Sequence, residues 1–335
     1  MLLYILKRML LAIPTLFLVA LAVFFLVRMI PGDPALVMLG EGASPEAVAS
    51  LRSELGLNEP VPVQFTTWLG RSMGGDLGTS AITGEPVGAL ILSRFQLTAV
   101  VVMISVAFAT LIAITFGMLA AWRQNGRLDL AVLGAASLVL AVPSFWLGLI
   151  LLLIFGVWLQ WLPVVGYIPF SESALGALLF LVLPIVTLTI SETGVLTRMM
   201  RSSTIDVMRL DYVTHARAKG LSERTVLMRH VFPNAFAPTL TLVGLTLGRL
   251  FGGIAVIETV FTLPGLGRLM VDSVLARDYP VVQGCLLFTA TLYVLVNLLV
   301  DILYPLFDPR VTVSCGGRRT RSWVSGSSAC CCSSS

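Results

Sequence analysis

The stretch LTAVVVMISVAFATLIAITFGMLAA, Leu97 to Ala121, carries no charged residue and only scattered hydroxyls. Its length matches the twenty or so apolar residues a helix needs to cross a bilayer core. Lipid cannot satisfy backbone polar groups, so such a run is either a helix or a strand of a closed barrel. Barrel strands alternate apolar and polar residues over short stretches, and this run does not. Comparable blocks recur on both sides of it, at about Met9–Ile30, Leu130–Trp158, Leu175–Leu196, Pro238–Ile257 and Val281–Tyr304. Together they predict an all-α polytopic membrane protein with about six transmembrane helices.

Composition agrees. Of 335 residues 57% are hydrophobic and 12% charged, about half the charged fraction of soluble domains. The formal charge of +4 is mild, and the basic residues cluster at the ends of spans rather than in a stripe, which argues against a nucleic-acid partner. Cys285 lies in an apolar block, and Cys315, Cys330, Cys331 and Cys332 lie in the last stretch of chain, far from both histidines. That spacing predicts no metal site. The opening MLLYILKRMLLAIPTLFLVALAVFFLVRMIPGD has a longer apolar run than a signal core and no small-residue cleavage site after it. It is expected to be an uncleaved first span.

Between the first two spans lies a polar segment, Pro31 to about Gln96, rich in turn signals such as PGDP, EGASP and MGGDLG. Within it SPEAVASLRSELG predicts a short helix, with Ser44 as N-cap, Pro45 as its first residue and Gly56 as its stop. Cytoplasmic flanks carry the excess of Lys and Arg. With the N-terminus inside, they hold Lys7, Arg8, Arg123, Arg127, Arg198, Arg201, Arg209, Arg217, Lys219, Arg224, Arg229 and Arg310. The long loop outside then holds Arg52, Arg71 and Arg94 against Asp33, Glu41, Glu46, Glu54, Glu59, Asp76 and Glu85. Both termini are therefore expected in the cytoplasm. The tail 310–335 turns to Ser, Gly and Cys without apolar period, a composition expected to be disordered.

A second long polar stretch, Thr197–Asn234, contains DYVTHARAKGLSERTVLMRHVFPNAFAPT, Asp211–Thr239. It reads as two short helices meeting at a tight turn. Gly220 suits the left-handed position that ends the first, Ser222 the N-cap of the second, and Glu223 the positive end of that helix. A basic, partly apolar hairpin at the cytoplasmic face fits either a docking element or a loop held by lipid headgroups.

Residues 211–235 resemble the cytoplasmic "EAA" loop of ABC importer permeases, a short helix followed by an obligate glycine. They are more closely similar to the dipeptide/oligopeptide permease subfamily, with its D-Y-V-x-x-A-R-A-K-G-L-S core. The likeness extends through KRMLLAIPTLFLVALAVFFLVRMIPGDPA (7–35), LGLNEPVPVQFTTWLGRSMGGDLGTS (55–80), VPSFWLGLILLLIF (142–155), ETVFTLPGLGRLMVDSVLARDYPVVQG (258–284) and LVDILYPLFDPR (299–310). It departs at Thr214, where the family has a basic residue, at His215, where a small one is commoner, and in lacking the Glu of the broader motif.

The resemblance implies the transmembrane domain of a type I ABC importer in an inner (plasma) membrane, carrying di- or oligopeptides. It implies residues 1–94 as first span and external loop, 95–309 as the permease domain, and 310–335 as a tail. It implies a second homologous permease, two ATPase subunits and an external solute-binding protein as partners. Asp211, Tyr212, Ala216, Arg217, Ala218, Lys219, Gly220, Leu221 and Ser222 would couple to the ATPases. Relatives carrying nickel chelates, glutathione or other small solutes share the same motifs. The chain's own residues agree that the motor is elsewhere. A P-loop needs Gly-Lys-Ser/Thr, and neither Lys7 nor Lys219 follows a glycine. No cofactor is implied.

Polar groups inside spans suggest function by default. Glu192, Arg249, Asn297 and Asp301 are the clearest. Arg249 lies in GLTLGRLFGG, where Gly244, Gly248 and Gly252 recur at the spacing that lets helices approach closely, within this subunit or against a partner. It is expected either to pair with Glu192 or Asp301 or to face the pathway. An intramembrane enzyme would need an acid pair at matching depth, for which Glu192 and Asp301 are the candidates, and no Gly-x-Ser-x-Gly or His-Glu-x-x-His motif occurs. Glu46 and Glu54, on the short external helix, are the expected contacts for the binding protein.

Overall fold

The computed structural model describes residues 2–29, 34–39, 42–54, 56–164, 166–169 and 172–307. The tail, with its cysteines and Arg310, lies outside them. The first span is α1 (Leu2–Met29), and the loop after it holds α2 (Pro34–Leu39), α3 (Pro45–Glu54) and α4 (Val61–Met73). Next come α5 (Val87–Trp122), α6 (Arg127–Ala141) and α7 (Ser144–Leu151), the last running into a π-helical stretch at Leu152–Trp158. Helix α8 (Ala174–Met208) leads to the hairpin of α9 (Asp211–Ala218) and α10 (Glu223–Thr225). A π-helical stretch at Val226–Val231 joins α10 to α11 (Phe232–Gly253), and α12 (Ala255–Val260), α13 (Leu266–Leu275) and α14 (Tyr279–Phe307) follow. Among the described residues five helical segments are long and apolar enough to cross a membrane, or six if the bent α6–α7 pair is one span.

Three expectations need correction. The third span is not one rod, because α6 and α7 meet at 97°. Val142 precedes Pro143, whose ring pushes the preceding residue out of the helical region, and Val142 is extended at φ −98°, ψ 122°. The fourth helix runs past Leu196 to Met208, so Thr197–Met208 belongs to it and not to a polar loop. One of its buried hydroxyls is absorbed by the helix itself, Thr204 Oγ1 donating to the Met200 carbonyl at 2.7 Å. The second arm of the hairpin is not short either, since Glu223–Gly253 forms one long segment. The capped helix at Pro45 is as expected: Ser44 Oγ accepts from Ala47 N at 3.3 Å, and Gly56 has φ +67°.

Helix α5 lies along α8 so closely that a Cβ at Gly117 would stand 2.8 Å from Met200 Cβ. One apolar cluster, including Val101, Leu181, Leu188, Phe251, Ile254 and Phe261, joins α5, α8, α11 and α12. Another joins Met118 and Met200 to Val213, Ala216, Val226 and Val231, beneath the hairpin. Helix α1 packs on α14 and α4, and shows Leu10, Ile13 and Leu18 each more than 60% exposed. Contiguous apolar surface of this kind suits lipid and not water.

Candidate functional site

The hairpin is built by burying one side of α9. Val213 and Ala216, three residues apart, face the apolar cluster, which holds the helix flat against the ends of α5, α8 and α11. Lys219 N donates to the His215 carbonyl at 3.1 Å, and Gly220 N to that of Arg217 at 2.9 Å, closing the helix. Gly220 then turns the chain with φ +80°, a conformation that costs any residue with a Cβ. Ser222 Oγ accepts from Thr225 N at 3.4 Å as the N-cap of the return arm. Across the turn Arg217 forks onto Glu223, Nε to Oε1 at 2.8 Å and Nη2 to Oε2 at 3.3 Å. Tyr212 ties the arms together, its hydroxyl donating to the His230 carbonyl at 3.2 Å and accepting from Asn234 Nδ2 at 2.9 Å. Asp211, Thr214, His215, Ala218, Lys219, Gly220, Leu221, Ser222, Arg224, Met228 and Arg229 remain exposed.

Within the spans Glu192, Arg249 and Asp301 are each paired. Arg249 Nη2 meets Glu192 Oε2 at 2.6 Å, and Arg8 Nη1 meets Asp301 Oδ2 at 2.9 Å. Of the two acids open to Arg249, the structure therefore joins it to Glu192. Asp301 and Glu192 are not brought together as an acid pair. Gly244 and Gly248 lie against Val300 and Tyr293 of α14, whereas Gly252 has open space beside it.

Residues 113–313 match the model of the family described as "Binding-protein-dependent transport system inner membrane component". Residues 1–104 match the model for the N-terminal part of such membrane components. The chain belongs to this family of inner-membrane permeases. A Brucella suis protein named as a peptide transport system permease is 45% identical over 307 residues, covering 92% of this chain and 98% of that one. A Sinorhizobium fredii protein named as a peptide ABC transporter permease is 40% identical over 308 residues, with the same coverage. The glutathione transport system permease protein of Salmonella choleraesuis is 41% identical over 316 residues, covering 93% and 99%. A crystal structure of an amino acid ABC transporter with histidines covers 66% of this chain and 94% of its own at 16% identity, with a TM-score of 0.46.

The long loop between the first two spans of this permease is tied down at both ends. Phe65 and Trp68 of α4 pack on Phe24 of α1, and Arg28 donates to Gln64. Farther on, buried Asp278 accepts from Ser80 Oγ at 2.5 Å and Ala81 N at 3.1 Å. Glu46 is exposed in the first turn of α3, and the Glu54 side chain lies outside those described.

Three buried groups escaped the sequence reading. Asp129 receives Arg201 at both oxygens, Nε at 2.5 Å and Nη2 at 2.7 Å, and also the Asn125 N–H at 2.9 Å. Its signal was a lone acid at the start of an apolar run, which looked like part of the WRQNGRLD turn. Glu258, between the fifth and last spans, accepts from Thr98 Oγ1 at 2.5 Å and from Arg268 N at 2.9 Å, while Thr98 Oγ1 accepts from Leu266 N at 2.9 Å. Burial pushes the Glu258 carboxyl up, against the pull of Thr98 and the backbone N–H groups at the start of α13. Asp278 is the third. Thr98 is 160 positions from Glu258, and Ser80 is 198 from Asp278.

Proposed function

We propose that this chain is the pore-forming subunit of an ABC importer that carries di- and oligopeptides across the inner membrane. Its residues 95–309 form the permease domain, residues 1–94 supply the first span and external loop, and both termini are cytoplasmic. A second homologous permease completes the pathway, two separate ATPase subunits hydrolyse the ATP, and an external binding protein delivers the solute. The observation that carries this reading is the hairpin. Its inner face is packed onto three spans, while Lys219, Arg224 and Arg229 stand out beside the exposed side chains of Leu221 and Met228. A rigid mount with a basic, apolar-studded outer face fits a protein partner that pushes on the spans. The names of the Brucella and Sinorhizobium relatives support the peptide substrate.

The test is uptake of radiolabelled trialanine into proteoliposomes holding the permease pair, its ATPases and its binding protein. ATP-dependent accumulation is expected, and ATP hydrolysis stimulated by the binding protein without accumulation of any peptide offered would sink the reading. The Salmonella relative favours glutathione as a second solute, itself a tripeptide. Competition by unlabelled glutathione in the same vesicles separates the two.

A further inference from the structure

Between α6, α8 and α11 lies a cavity of about 740 Å³ whose walls include Val142, Ser144, Ser191, Glu192, Thr246 and Arg249. Helix rise places it deep in the membrane. Glu192 is about 27 Å from the Ala174 end of α8 and about 24 Å from the Met208 end, at 1.5 Å per residue. Tyr293, which also lines the cavity, is about 21 Å from either end of α14 by the same rise.

Two independent features of this wall call for water. The first is the Arg249 side chain, 62% exposed while its partner Glu192 is 7% exposed. A guanidinium at mid-depth facing lipid tails is costly, and such groups face a bundle interior or a water-filled space. The second is the break at Val142–Pro143. Extended backbone at membrane depth survives only where it is buried in protein or borders a hydrated cavity, and Val142 borders this one.

The chemistry then selects a ligand. Arginine presents five N–H donors in a planar fork that matches a carboxylate. Among the described residues the partner that Arg249 has is Glu192, through Nη2. We propose that this cavity is a transit site for the carboxylate of the passing solute, with Arg249 as the binding group and Glu192 as the tether that positions it. Ser144, Ser191 and Thr246 offer hydroxyls to the amides that flank such a carboxylate. Glu192 and Arg249 together carry no net charge, so the hold is loose, and a site on a pathway must release what it holds. The identity of the solute as a peptide rests on the function proposed above, whereas the hydrated, anion-attracting cavity does not.

The experiment uses the assembled transporter in proteoliposomes, with native cysteines replaced by serine and Ser191→Cys introduced. Anionic and cationic methanethiosulfonates of similar size probe the new thiol. The anionic reagent should react at least threefold faster, and Arg249→Gln should abolish or invert that preference. A thiol inert to both reagents, or a preference untouched by Arg249→Gln, overturns the proposal. Trialanine uptake per ATP hydrolysed, in the Ser191 protein, supplies the second reading. Arg249→Gln should lose about tenfold, Arg249→Lys about threefold, and the Arg249→Gln/Glu192→Gln double variant should stay as low as Arg249→Gln. Recovery in the double variant would make the pair a structural neutralisation and overturn the proposal. A wild-type complex with the expected thiol preference but no uptake of any peptide supports the anionic cavity and overturns the peptide reading alone.

Discussion

Helix α8 takes part in two arginine–carboxylate pairs, with the roles exchanged. At residue 201 it supplies the arginine and α6 the acid, while at residue 192 it supplies the acid and α11 the arginine. Asp129 and Arg201 are 2% and 17% exposed, and both carboxylate oxygens are engaged. Glu192 is also buried, at 7% exposed, but its arginine is mostly open and makes one short contact. The first pair is largely covered and holds α6 and the α5–α6 turn onto α8. The second has spent one donor and keeps the rest for something else. Burial of the cation, more than the existence of a pair, separates a clamp from a site.

The largest expected effect tests that distinction. Asp129→Ala strands a mostly buried guanidinium, and breaking such a pair costs about 3–5 kcal/mol. Thermal unfolding of the detergent-solubilised permease, followed by size-exclusion chromatography, should show Asp129→Ala far less stable than Glu192→Ala, which leaves behind a guanidinium already open to solvent. Equal losses would erase the difference between clamp and site. Next in size is the junction of Thr98 with Glu258 and Leu266. Thr98→Val removes a donor to Glu258 and an acceptor for the Leu266 N–H, all of them buried, at about 1–3 kcal/mol for each group left unpaired. The same unfolding assay should place it between the two arginine pairs.

Gly220→Val adds a Cβ at a left-handed position, costing about 1–2 kcal/mol that falls on the turn alone. The variant should insert normally yet retain severalfold less ATPase on affinity purification, and full retention would free the hairpin of its proposed role. Smallest is Glu46→Ala, in the exposed first turn of α3. A rim charge mainly steers association. The binding-protein concentration for half-maximal ATP hydrolysis should rise about twofold at low salt and return to normal at high salt, where surface charges are screened. No change at low salt would remove Glu46 from the docking surface.

The spans and the hairpin turn were legible because each rests on local chemistry: unbroken apolar runs, and a Gly-x-Ser-Glu stop and cap at 220–223. The bend at Pro143 was not, since apolar residues flank it on both sides and composition alone reads straight through. Helix α8 was cut short at Leu196 because Arg198 and Arg201 look like a membrane boundary until Arg201 is seen paired with Asp129. Partners far apart in sequence stayed hidden for the same reason. Asp129 and Arg201 are separated by 72 positions, and Thr98 and Glu258 by 160. Arg249 was the exception, its two candidate acids being few enough to name beforehand.

The long segment that starts at Glu223 has a mechanical consequence. From α10 to Gly253 it is one helical segment, with a π-helical stretch at Val226–Val231 just ahead of Pro233 and a further proline, Pro238, inside α11. Proline and π-turns are where helices give way. From Phe232 to Arg249 the segment measures about 26 Å, so a tilt of about 10° at the π-helical stretch would swing residue 249 by about 4 Å. That travel exceeds the 2.6 Å between Arg249 and Glu192. A partner leaning on the turn at Gly220 would thus hold one end of a lever whose other end carries the guanidinium.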